Sequence, residues 1–297
     1  MSEMRIDALL PQEMASRAEY LGVRKAEMPF RKTFMLAILA GAFIALGAIF
    51  ATTVSAGGLP VTAADGTSAY AVGLPYGVVR LLAGLVFSLG LILVLVGGAE
   101  LFTGNNLIVM AWASGKVSGL ALLRNWVIVY LGNFVGALST ALLMFVTRQY
   151  TFGSNAVGVT ALKTAVAKCD LGFLQAIALG ILCNALVCMA VWLTYSARST
   201  VDKILAIIFP ITAFVAAGFE HSIANMYFIP IGLLIKDFDP AFVSTVGSQV
   251  AHLDKLTWQA FFFNNLLPVT IGNIIGGTVL VAGFYWLIYL RPSDSQS

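Results

Sequence analysis

Hydrophobic positions along this 297-residue chain fall into long unbroken runs rather than short alternating ones. Six segments, roughly 33–54, 78–113, 125–146, 173–196, 204–235 and 260–290, are apolar over the about 20 residues that a helix needs to cross a bilayer. The pattern predicts an all-α integral membrane protein with six transmembrane helices. The second and fifth segments are interrupted, by Gly98-Ala99-Glu100-Leu101-Phe102-Thr103-Gly104-Asn105 and by Ala217-Gly218-Phe219-Glu220-His221-Ser222-Ile223-Ala224-Asn225. An ionisable residue at bilayer depth is costly, so His221 reads as part of a transport or proton-relay site.

The segments also repeat. Asn125, Val129, Gly132, Asn133 and Gly136 of the third recur at the same internal spacing as Asn265, Val269, Gly272, Asn273 and Gly276 of the sixth. Gly98, Glu100 and Asn105 of the second align with Gly218, Glu220 and Asn225 of the fifth, and Phe34, Ala37, Ile38 and Gly41 of the first align more faintly with Phe173, Ala176, Ile177 and Gly180 of the fourth. Three spans per copy is an odd number, so the second copy enters the membrane from the opposite side, giving an inverted 3+3 repeat with helices 2 and 5 broken.

A broken helix survives at depth only where protein or a water-filled cavity satisfies its freed backbone groups. The breaks are therefore expected to line a pathway, with the positive ends of the resuming helices favouring an anion. Glu100 and Glu220 are expected as structural groups accepting backbone N–H bonds in the breaks. Asn105, Asn225, Asn133 and Asn273 are expected to tie helices together, with Gly132, Gly136, Gly272 and Gly276 permitting close approach.

Composition agrees with the pattern: 59% hydrophobic and 10% charged residues with a mean hydropathy of +0.91 exclude a water-soluble globule. The expected organisation is a cytoplasmic N-terminal segment over 1–32, a six-span transport domain over 33–291 and a cytoplasmic tail over 292–297. Of the 17 Lys and Arg residues, only Arg80, Arg148, Lys163, Lys168, Lys236 and Lys255 fall on one side of this arrangement, which places both termini in the cytoplasm. The mixed charges before residue 33 do not read as a cleavable signal. Leu9, Leu10, Met14, Ala18 and Leu21 recur at helical spacing over 9–27, compatible with an amphipathic helix in the interface and equally with a mobile tail. Cys169, Cys183 and Cys188 read as buried hydrophobes rather than a disulfide framework. No cofactor, metal or nucleic-acid partner is expected.

Glu100 to Gly104, Lys168 to Ala176 with Asn184 beyond, Gly218 to Met226 and Asn265 to Gly277 resemble the bacterial formate/nitrite transporter family, most closely its formate channels. The resemblance extends from Leu9-Leu10-Pro11 to the Tyr285–Arg291 stretch. It implies a homopentamer of aquaporin-like protomers in the inner membrane, each carrying formate and other small monovalent anions, with nitrite, acetate and lactate as further candidates and protons as a coupled species. It assigns the pathway to His221 and Thr103, with Lys168 and Asn184 near the outer mouth, and the pore constriction to Phe87, Leu91, Phe102 and Phe214. One departure is Gly104-Asn105-Asn106-Leu107, where Ser-Thr-Val-Leu is expected, so a more flexible first break is anticipated.

A neutral-solute channel of the aquaporin kind is the alternative, but it predicts Asn-Pro-Ala at both breaks, and neither contains proline. An enzyme is disfavoured because Ser222, adjacent to His221, would not face it on a helix.

Overall fold

The computed structural model describes residues 8–57, 59–62 and 68–291. The tail at 292–297 and the first seven residues of the N-terminal segment lie outside them. In order, the helices are α1 (Pro11–Ala26), α2 (Phe30–Ser55), α3 (Tyr76–Gly97), α4 (Val109–Ala113), α5 (Gly119–Thr147), α6 (Ala156–Cys169), α7 (Phe173–Ser196), α8 (Thr200–Ala217), α9 (Ser222–Phe238), α10 (Pro240–Val246), α11 (Leu267–Ile275) and α12 (Phe284–Tyr289). Among the described residues, six helical stretches are long and apolar enough to span a membrane, the last running continuously from Ala260 to Tyr289. Within it α11 is flanked by π-helical turns at Ala260–Leu266 and Gly276–Gly283. A short antiparallel hairpin, β1 (Leu59–Thr62) with β2 (Ser68–Val72), joins α2 to α3 and is an element the hydropathy pattern does not predict.

Between α3 and the 3₁₀ turn at Gly104–Ile108 the chain is non-helical, and Gly98 turns it with φ of 79°. Between α8 and α9 the same role falls to Gly218, with φ of 78°. This left-handed conformation carries little penalty in glycine alone.

Helix pairs are held close by residues without side chains. A Cβ added to Gly136 would lie 1.9 Å from the Ile38 carbonyl oxygen, and one added to Gly276 would lie 2.1 Å from that of Ile181. Packing of this kind replaces the hydrophobic drive that lipid does not supply between membrane helices.

These contacts correct the matching of the first and fourth segments. Asn133 Nδ2 donates to Ala37 O at 2.7 Å, and Asn273 Nδ2 to Gly180 O at 2.8 Å. The Glu100 and Glu220 amides donate to Leu36 O and Leu179 O. Ala37 thus corresponds to Gly180, one helical turn beyond the sequence match with Ala176. Small residues one turn apart, Ala37 with Gly41 and Ala176 with Gly180, share a helix face, so both registers fit the pattern.

α1 is neither a mobile tail nor a free interfacial helix. Met14, Ala15 and Ala18 are buried in a cluster with Leu107, Met110 and Trp192. Gln12 Nε2 donates to Tyr289 O at 2.6 Å, and Lys116 forms an ion pair with Glu19.

Gly136→Ala is expected to lower the melting temperature in detergent and the yield of folded protein, because the methyl meets helix backbone and overpacking of this kind costs about 1–3 kcal/mol or more. Gly77→Ala, whose Cβ would have nothing within 4 Å, serves as the control in the same thermal assay. Equal melting temperatures for the two variants would contradict the close contact between α2 and α5.

Candidate functional site

Each non-helical stretch carries a glutamate in a low-dielectric setting, and each glutamate is met by a lysine and by asparagine amides. Glu100 is 5% exposed; its Oε1 accepts from Lys25 Nζ at 2.8 Å and its Oε2 from Asn105 Nδ2 at 2.7 Å. Asn105 Nδ2 also donates to Asn125 Oδ1, and Asn125 Nδ2 returns to the Lys25 carbonyl. The second network repeats the first. Glu220 accepts from Lys168 Nζ at 2.7 Å and from Asn225 Nδ2 at 2.7 Å; Asn225 bonds Asn265 Oδ1, and Asn265 Nδ2 reaches the Lys168 carbonyl. The backbone N–H bonds expected for these carboxylates are replaced by side-chain donors. Leaving either carboxylate without its lysine costs about 3–5 kcal/mol, the usual penalty for an orphaned buried charge.

Asn133 and Asn273 fasten the stretches to the neighbouring helices. Asn133 accepts from the Phe102 amide while donating to Ala37 O and Glu100 O; Asn273 accepts from the Ser222 amide while donating to Gly180 O and Glu220 O. Asn105 and Asn106 do not loosen the first stretch. Asn105 joins the glutamate network, and Asn106 Oδ1 accepts from Asn184 Nδ2 at 2.9 Å.

His221 lies at the start of α9, 3% exposed. Its Nδ1 accepts from the Ala224 amide at 3.1 Å and its Nε2 sits 3.0 Å from Thr103 Oγ1. An Nδ1 that accepts carries no hydrogen, so the ring is the Nε2–H tautomer and donates to Thr103. A ring protonated on both nitrogens would lose the Ala224 bond. Two of the first three amides of α9 are thereby occupied, Ser222 by Asn273 and Ala224 by His221 itself, which removes these two from the anion-attracting role the sequence suggests for a helix start.

Two cavities approach this centre. One, of about 430 Å³, is lined by Arg80, Lys163, Lys168, Glu220, His221, Phe87, Phe214 and Phe228. The other, of about 290 Å³, is lined by Arg17, Lys25, Lys203, Glu100, Leu91 and Leu107. Phe87 faces the first and Leu91 the second, so one turn of α3, about 6 Å of rise, separates them. Phe87 packs edge-on against Phe214 at 5.7 Å, and Phe214 stacks on the His221 ring at 5.9 Å.

Not every residue expected at the site lines a cavity. Phe102 lies against Tyr130 and Trp126, with ring centroids 4.9 and 6.0 Å away, and belongs to neither wall. Asn184 is buried on α7, bonded to Thr103 O, Asn106 and Asn273 O rather than standing beside Lys168, whose asparagine neighbour is Asn265. Lys25 is the residue the sequence reading missed. It lies before the first span in an apparent tail, and only the register of α1 reveals it as the counterpart of Lys168.

Asn273→Asp keeps the acceptor for Ser222 but turns a carboxylate oxygen toward two carbonyls. Buried polar groups left unsatisfied cost about 1–3 kcal/mol each, so a marked loss of thermal stability is expected by scanning fluorimetry. A melting temperature within a degree or two of the parent would show that these bonds do not hold the stretch.

The chain matches the formate/nitrite transporter family over residues 12–287. It is 47% identical over 289 residues to the formate channel FocA of Escherichia coli strain K12, covering 97% of each chain. It is 40% identical over 278 residues to FocA of Haemophilus influenzae, covering 93% of each. Among solved structures, a pentameric formate channel with formate bound superposes with a TM-score of 0.78 at 46% identity, covering 88% of this chain and 98% of that one. On the strength of a match along nearly its whole length, in sequence and in fold, the chain belongs to the formate/nitrite transporter family.

Proposed function

We propose that this chain passes formate, and with it other small monovalent anions such as nitrite, across the bacterial inner membrane. Each protomer of a homopentamer then has its own pore, through six spans arranged as an inverted repeat with the second and fifth broken. In this reading Lys25 and both termini face the cytoplasm. The observation that carries it is the pair of cation-lined cavities separated by one apolar turn of α3, with His221 and Thr103 beside the gap.

The gap sets the chemistry. Transferring a bare carboxylate into an apolar slit costs about 20 kcal/mol in the idealised Born limit and several kcal/mol after relaxation. Protonating a small carboxylate with a pKa near 4 costs only about 4 kcal/mol at pH 7, at about 1.4 kcal/mol per unit. The neutral acid is therefore the species that crosses Phe87, Leu91 and Phe214. His221 holds the anion through Nε2–H and Thr103. The anion's charge favours protonation of the ring and offsets the loss of the Ala224 bond, so the proton enters with the substrate.

Uptake of labelled formate and nitrite into proteoliposomes, with and without a pH gradient, tests this; formate entry should follow the gradient with one proton per anion. In His221→Asn the side-chain oxygen preserves the helix cap but cannot titrate. Its uptake should lose the dependence on pH between about 5 and 8, the range of histidine titration. An unchanged pH profile and proton stoichiometry in folded His221→Asn would reduce His221 to a structural cap.

Phe87 and Phe214 should set the size limit. Replacing both by alanine is expected to admit lactate at rates approaching those of formate, measured by the same uptake assay. Retention of the parent size preference in the folded double variant would move the constriction elsewhere.

A further inference from the structure

Arg80, on the first turns of α3, is half-buried in the wall of the Lys168 cavity. Its Nε donates to Ala216 O at 3.2 Å and its Nη2 to Val215 O, and these are among the last carbonyls of α8 before the chain turns at Gly218. A Cβ built on Gly218 would lie 3.4 Å from Arg80 Nη2, so the guanidinium lies directly over the turn that leads to His221.

A helix end of this kind carries a partial negative charge of about half an electron, here directed at the space a permeating anion must enter. The opposing positive end of α9 has its Ser222 and Ala224 amides occupied. Lys168 faces the same cavity but is paired with Glu220, so the two together add a dipole rather than net charge. The other titratable groups in this wall are Tyr76, Lys163 and His221. We propose that Arg80 is a positioning and specificity residue for transport: by capping the carboxy-terminal carbonyls of α8 it fixes the turn before His221 and converts an anion-repelling helix end into an anion-accepting one. This rests on the reading of the chain as an anion pathway.

The test compares Arg80→Gln, which keeps an amide donor without charge, with Arg80→Lys, which keeps charge without the fork. The parent and both variants are reconstituted, and formate uptake is measured in low and high salt. Arg80→Gln should raise the half-saturating formate concentration about fivefold at about 10 mM salt, with a maximal rate within about twofold of the parent. That difference should shrink at about 0.5 M salt, where charges are screened. Arg80→Lys should keep the parent affinity and salt dependence while melting at a lower temperature. A merely structural role would lower the maximal rate and stability of both variants and leave the salt dependence untouched, and that result overturns the proposal. If Arg80→Gln fails to assemble, Arg80→Lys decides: parent-like affinity and salt response support the charge, and loss of both defeats it. A parent protein that takes up no formate would sink the transport reading itself, whereas parent uptake with unchanged Arg80→Gln kinetics sinks this inference alone.

Discussion

The constraint on which the molecule depends is the scarcity of water where its helices stop. Every freed amide, carbonyl and carboxylate in the stretches 98–103 and 218–221 needs a partner from the protein. The chain answers with amides: Asn133 and Asn273 each bind one N–H and two carbonyls, and Asn105 and Asn225 each brace a glutamate. Asparagine suits this task because one short side chain both donates and accepts without bringing a charge.

The same arrangement determines what remains for function. The two half-buried lysines stand against buried glutamates at 2.8 and 2.7 Å, so their charge is largely spent on holding the fold. The two non-helical stretches are thus tied down with their charge nearly balanced, which on the proposed reading leaves the selectivity of the path to the apolar turn between Phe87 and Leu91 and to the cations around it.

Most of the fold was legible because hydropathy is a one-dimensional property: the six apolar stretches and their glycine-rich interruptions are written locally. The repeated asparagines of the third and sixth segments were equally visible. Three things were not. The register between α2 and α7 was ambiguous by a turn, since Ala37, Gly41, Ala176 and Gly180 lie on equivalent faces. The role of Lys25 depends on α1 folding back to reach Glu100, a contact across 75 positions that no local pattern encodes. Phe102, in the non-helical stretch after α3, points toward Tyr130 instead of a cavity, whereas Phe87 and Phe214 sit on helices that face one. The hydrogen-bond and ion-pair partners of the residues expected at the site became visible only once the chain was folded.

The two glutamate networks are nearly interchangeable, but the residues beside them are not. The amides of Phe102 and Ser222 bind equivalent asparagines, so the position before each is equivalent too, and there one half has Leu101 and the other His221. If the two halves face opposite ways, as proposed, such a protein has no inherent front or back. On the proposed reading, any handedness in its traffic must come from sites where the halves differ, and Leu101 opposite His221 is the one that lies against the paired networks.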